Sequence, residues 1–208
     1  MRAFVADGPE AEQLALIDHL VELSSRMHGH LCPGQVVGVR MAITGLAMLG
    51  YPCPLPYPEI KNIVGFVEIE RCLADAIATA TGLRFGRGSL KLVNLGLLAA
   101  SFMEISSGKA VRVVSKDSAR ELAREYAPDA RTEREAQLMA YRVMPTHELL
   151  DVQWVRIHIE EHELPGARPP KVPCSRCGVL VRSGQVRVVD GQKLCAVCAG
   201  QAYFEPLG

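Results

Sequence analysis

Four cysteines near the C-terminus, Cys174, Cys177, Cys195 and Cys198, follow the spacing C-x2-C-x17-C-x2-C. They fall in a tail of about 35 residues, too short to bury enough apolar surface to hold a fold by itself, so the tail needs a staple. The spacing lies within the window for a structural zinc site, where four thiolates around Zn2+ make metal binding and folding one event. Two disulfides or four free thiols are the competing reading. The chain holds seven cysteines, an odd number that suits a secreted disulfide framework poorly.

Between the two pairs, "VLVRSG" and "QVRVVDGQKLC" alternate as short strands, with turns at Ser183-Gly184 and Asp190-Gly191. The second pair is expected to lead into a short final helix, as in treble-clef zinc fingers. Arg176, Arg182, Arg187 and Lys193 could touch phosphate, but the tail has few aromatics for base stacking. A stabilising or protein-contact role is therefore preferred over nucleic-acid binding. Ahead of the tail, "ELPGARPPKVP" carries four prolines and reads as a stiff connection. The expected division is a core over 1–163, a linker over 164–173 and a zinc finger over 174–208.

Hydrophobic residues make up 49% of the 208, enough for a core, and 23 basic residues balance 23 acidic ones. That balance argues against a general nucleic-acid binder, whose affinity comes from clustered Lys and Arg. No apolar run reaches the ~18 residues that span a bilayer. "MRAFVADGPEAEQ" lacks the apolar stretch of a secretory signal, so a cytoplasmic protein is expected.

The core reads as α+β. Helical spacing predicts helices over Glu10–Met27 and Pro33–Leu49, the second closed by Gly50. Gly34, Gly38, Ala42 and Gly45 fall near one face of that second helix, which is expected to be buried or at a dimer contact. Asn62–Glu70 reads as a strand and Leu73–Gly82 as a helix. Ser89–Leu95 and Leu98–Ile105 are β-like, and a turn at Ser107-Gly108 leads to a strand at Ala110–Ser115, the pattern of a hairpin. Helices are expected at Asp117–Tyr126 and Thr132–Val143, and Gln153–Glu163 alternates like a strand.

"RMHGHLCPGQ" packs His28, His30 and Cys32 into five residues. In an extended segment the three would face one side, and imidazole and thiolate both suit zinc and other late transition metals. Pro33 favours the first helical position, which makes Cys32 an N-cap beside free N–H groups, where a thiolate is stabilised. Cys72, at the junction ahead of "LADA", is the best further ligand, with Asp75 three residues on; Cys53, between two prolines, is a poorer one. A metal site or a reactive thiol are both open on these residues. His19, His147, His158 and His162 are read as ordinary surface or packing residues.

"HGHLCPG" followed by a Gly- and Ala-rich helix, then C-x-x-D-A-I and T-G-x-x-x-G-x-G-x-L, resembles the formylmethanofuran dehydrogenase-associated family FmdE, from about His28 to Val114. The resemblance implies an α+β core with a mixed or antiparallel sheet that tends to dimerise, joined in some members to a treble-clef zinc finger. It implies a metal cleft built from His28, His30, Cys32 and Cys72, with Asp75 nearby as a candidate for moving protons. By context it also implies a molybdenum or tungsten oxidoreductase as partner. The chain departs from the family pattern at Leu83, where a cysteine often follows TG. It departs again in "NLGLLAASF", where Asn94 and Leu97 replace an acid and a lysine. Whether the protein is an enzyme is left open by these residues. A non-catalytic adaptor, a redox-sensing thiol protein and a nucleic-acid regulator are the alternatives.

Overall fold

The computed structural model describes residues 9–207. The chain divides into two compact units, one running up to His158 and one from Ile159 onward.

Helix α1 (Ala11–His28) ends where Gly29 takes a left-handed φ of 91°, and α2 (Pro33–Leu49) starts with Pro33 at its first position. Twelve consecutive residues of α2, Gln35 to Leu46, are buried, so α2 is enclosed on all sides, as a helix that is hydrophobic all round must be. Its glycines set how closely the neighbouring elements approach. A Cβ on Gly38 would lie 2.6 Å from the Ala76 Cβ and 3.0 Å from the Leu73 carbonyl on α3 (Cys72–Thr81); one on Gly45 would lie 2.3 Å from the Phe102 ring. The small-residue face expected from the sequence is thus used inside the unit. Alanine at Gly38 gains helix propensity of about 1 kcal/mol but overpacks a contact with backbone by up to about 3 kcal/mol. Gly38→Ala should therefore lower stability by about 1–2 kcal/mol, seen as a lower denaturant midpoint at unchanged slope; an equal or higher midpoint would show that α3 can retreat.

The sheet on which α2 lies is mixed, in the order β2-β1-β3-β4-β5. Its strands are β1 (Ile63–Val67), β2 (Leu90–Leu92), β3 (Ala99–Glu104), β4 (Ala110–Ser115) and β5 (Leu150–Val155). Only β1 and β2 run parallel, joined through α3 as a parallel pair requires; the other pairs are antiparallel. The β3–β4 hairpin turns as the sequence predicts. α4 (Ser118–Tyr126) and α5 (Glu133–Val143) pack together, the Thr132 hydroxyl capping α5 by accepting from the Glu135 N–H.

Three expectations change. The strand expected over Gln153–Glu163 instead runs Leu150–Val155, preceded by the short α6 (Thr146–Leu149). β4 offers six residues to pair, from Ser115↔Leu150 to Ala110↔Val155, and beyond that the chain has no ladder partner among the described residues. Within 164–173, Lys171–Pro173 forms strand β6 and pairs with β7 (Leu180–Arg182). Finally, the helix expected after the second cysteine pair shortens to a single turn, with the Ala199 N–H donating to the Cys195 carbonyl, because Gly200 turns left-handed at φ 82°. The second hairpin of this unit pairs β8 (Arg187–Val189) with β9 (Gln192–Leu194). Among the described residues no helix is long and apolar enough to cross a membrane.

Candidate metal centres

In the larger unit the C-terminus of α1 meets the N-termini of α2 and α3. His28 is the last residue of α1, Gly29-His30 form a bend, Cys32 is the N-cap of α2 and Cys72 opens α3. The stretch is therefore helix, bend, helix, and not the extended segment expected. One donor atom from each of His28, His30 and Cys32 nonetheless lies within 4.8 Å of the others, and the two imidazole centroids are 4.7 Å apart. Gly34 lies beside both cysteines: a Cβ there would be in ordinary contact, 3.4 Å from the Cys72 Cβ and 3.9 Å from the Cys32 Sγ. The Arg134 guanidinium, 2.6 Å from the Leu31 carbonyl, ties the bend to α5. That contact spans 103 positions and has no signature in local sequence.

Asp75 shares a hydrogen bond with His28 Nδ1 at 2.7 Å. A carboxylate on one ring nitrogen leaves the other for a metal and fixes the ring's orientation. Asp75 thus has the geometry of an orienting group.

Cys32 occupies the expected N-cap, and the N–H groups of Gln35 and Gly34 favour its thiolate. The net shift is nevertheless upward. Burial is the larger cause, and the hydrogen bond with the Cys72 thiol adds to it. Two adjacent thiols cannot both ionise cheaply without a cation between or beside them. Burial and Cys72 thus oppose the thiolate that the N-cap position favours, and the converging donor group comprises His28, His30 and Cys32, with Cys72 beside Cys32 but outside that group. Cys53 takes no part: its thiol donates to the Ala80 carbonyl, and burial pushes it up to about 12.

The site opens into a cleft of about 590 Å³ lined by His28, Cys72 and Asp75 together with Arg71, Phe85 and Leu92. The loop after β2 is held where the Leu95 and Leu97 N–H groups donate to the Glu68 carbonyl. Glu68 is itself buried and clamped by Arg112, both donor–acceptor pairs being 2.6 Å. Asn94 and Leu97 lie on this loop, and Leu97 is exposed.

In the second unit one sulfur from each of Cys174, Cys177, Cys195 and Cys198 lies within 4.8 Å of the rest. The Cys177 and Cys195 sulfurs are 3.9 Å apart, against the roughly 3.8 Å edge of a tetrahedron with Zn–S bonds of about 2.3 Å. Backbone N–H groups of Cys177 and Cys195 pull the Cys174 thiol down to about 6, while the Cys177 thiol pushes Cys198 up to about 12. No disulfide joins any of the seven cysteines.

The chain resembles known proteins along most of its length. The sequence profile of "FmdE, Molybdenum formylmethanofuran dehydrogenase operon" matches residues 27–151. A "Probable S-adenosyl-L-methionine-binding protein" from Archaeoglobus fulgidus is 30% identical over 211 aligned positions, which cover 93% of this chain and 56% of that protein. The chain thus spans little more than half the length of that relative. A crystal structure of a tungsten formylmethanofuran dehydrogenase FmdE-like protein from Syntrophus aciditrophicus superimposes with a TM-score of 0.61 at 20% identity, covering 91% of this chain and 95% of that one. With its α+β core, its His/Cys cluster where three helix ends meet and the matched span from residue 27 to 151, the chain belongs to the FmdE family.

Proposed function

We propose that the protein binds zinc, or another late transition metal, in the core cleft through His28, His30, Cys32 and Cys72, and a structural zinc through Cys174, Cys177, Cys195 and Cys198. We place it in one-carbon chemistry related to formylmethanofuran dehydrogenase. The observation that supports the reading is the convergence of the His28, His30 and Cys32 donor atoms, with His28 and Cys72 also lining the 590 Å³ cleft. A metal in such a site polarises a carbonyl or activates water. The chain's own part is to orient: Asp75 holds the His28 ring, and Arg71 and Phe85 bound the space a small molecule would enter. Asp75 is also a carboxylate placed for moving a proton.

The second reading is a non-catalytic accessory that senses or delivers a metal and docks through its zinc finger onto a molybdenum or tungsten oxidoreductase. The replacement of an acid and a lysine by Asn94 and Leu97 favours it. A homodimer and a cytoplasmic location belong to both readings; the exposed Leu92, Val93, Leu95, Leu97 and Leu98 offer apolar surface for a self-contact.

Metal content per chain tests the metal assignment. Wild type should carry about two equivalents, and Cys32→Ser/Cys72→Ser and Cys174→Ser/Cys177→Ser should each lose about one. No loss on changing Cys32 and Cys72 would overturn the assignment of these two thiols as ligands. Turnover by the fully loaded protein on a panel of formyl and other one-carbon substrates, with S-adenosyl-L-methionine included because of the Archaeoglobus relative, separates enzyme from accessory.

A further inference from the structure

Away from the metal cleft, past the C-terminal half of α2, lies a hollow of about 490 Å³, within the roughly 300–1,000 Å³ of small-molecule sites. Ala47 and Met48 of α2 form one wall and Val152 and Trp154 of β5 another. Trp154 pairs with Val111, which is fully buried on the sheet face that α2 covers. The indole therefore points to the core side, yet it is 58% exposed because β5 is the edge strand. It is the only tryptophan in the chain. Both signs of charge stand at the rim, where Lys116 Nζ and Asp151 Oδ1 pair at 3.1 Å.

The floor is rigid. Buried Arg40 donates to the Thr146 hydroxyl at 3.2 Å and to the Met144 carbonyl at 3.0 Å, and Thr146 lines the hollow. A preformed wall of this kind lowers the ordering cost of binding.

We infer that this hollow is a second ligand site, for a flat heteroaromatic molecule with a zwitterionic arm, the chemistry of an amino-acid-bearing nucleoside. The ring stacks on the Trp154 face, an interaction open to any aromatic base because each has a π-face. The arm's carboxylate meets Lys116 and its ammonium meets Asp151, so each partner of the existing pair keeps an opposite charge. A lone anion or cation would satisfy one partner and strand the other. The site is independent of the metal centres and goes beyond the proposed function.

The test uses the full-length, metal-loaded chain and the fluorescence of its single tryptophan. S-adenosyl-L-methionine should change the emission saturably, adenosine should bind about tenfold more weakly, and methionine alone should not register. Ala47→Phe, which fills the hollow, should weaken S-adenosyl-L-methionine at least tenfold. Lys116→Met, at a partly exposed position whose change leaves the fold alone, should bring it close to adenosine. No saturable change with any of these ligands up to about 1 mM overturns the proposal. Binding that survives Lys116→Met unchanged, or that is lost in Phe85→Ala at the metal cleft, overturns it as well.

Discussion

Replacing Arg40 by alanine should lower the stability of the larger unit by about 4 kcal/mol, because several buried acceptors lose their donor at once. Arg40 is 2% exposed in the middle of α2, and no carboxylate among the described residues pairs with it. Its guanidinium donates to the carbonyls of Tyr141, Arg142 and Met144 at 2.8, 3.2 and 3.0 Å, and to the Thr146 hydroxyl at 3.2 Å. The first two carbonyls belong to the last turn of α5, which the helix itself leaves without donors. Arg40 thus caps a helix 101 positions away, at the end where the macrodipole is negative. Burial pulls its pKa down to about 10, so it stays cationic at neutral pH. Alanine leaves the buried acceptors unpaired, each at about 1–3 kcal/mol. Lysine restores the charge without the planar fork and should recover about half of the loss. Denaturant midpoints check both variants; a loss under about 1 kcal/mol for Arg40→Ala would mean that water replaces the guanidinium.

Stripping the metal from the second unit should unfold it while the larger unit stays folded. The described residues from Ile159 onward include three buried ones, Cys174, Leu194 and Cys195. Two of the three belong to the four-cysteine cluster, so a metal bound there would be the centre of this unit's core. Zinc binding to such peptides is worth about 10–16 kcal/mol near neutral pH, far more than one buried leucine contributes. A chelator, or Cys174→Ser/Cys177→Ser, should expose residues 159–208 to protease within the time that leaves the core intact. Because protons compete with the metal for the four thiolates, lowering the pH should release it and unfold the unit in the same step. A metal-free tail that resisted protease would show a stability that its small core does not explain.

Much of the larger unit is legible because its signals are local. The ends of α2 follow from Pro33 and Gly50, and the β3–β4 hairpin from Gly108 between two β-rich runs. The position of β5 is less legible, because its bounds are set by the six residues that β4 presents and not by its own alternation. The helix expected in the tail fails for a local reason, Gly200, whose left-handed backbone ends the turn.

The candidate centres divide in the same way. The four-cysteine spacing of the tail, the HxHxC triplet and Cys72 with Asp75 are patterns within short stretches of chain, and short range is where backbone geometry follows from residue type. Three things depend on the tertiary structure alone. Asp75 faces His28 across 47 positions, Cys72 helps turn Cys32 from an activated thiol into one partner of a pair, and Arg40 closes α5 from the middle of another helix. Each is a polar interaction between groups far apart in the chain, whose strength depends on distance and desolvation, and these are quantities that exist only once the core has excluded water.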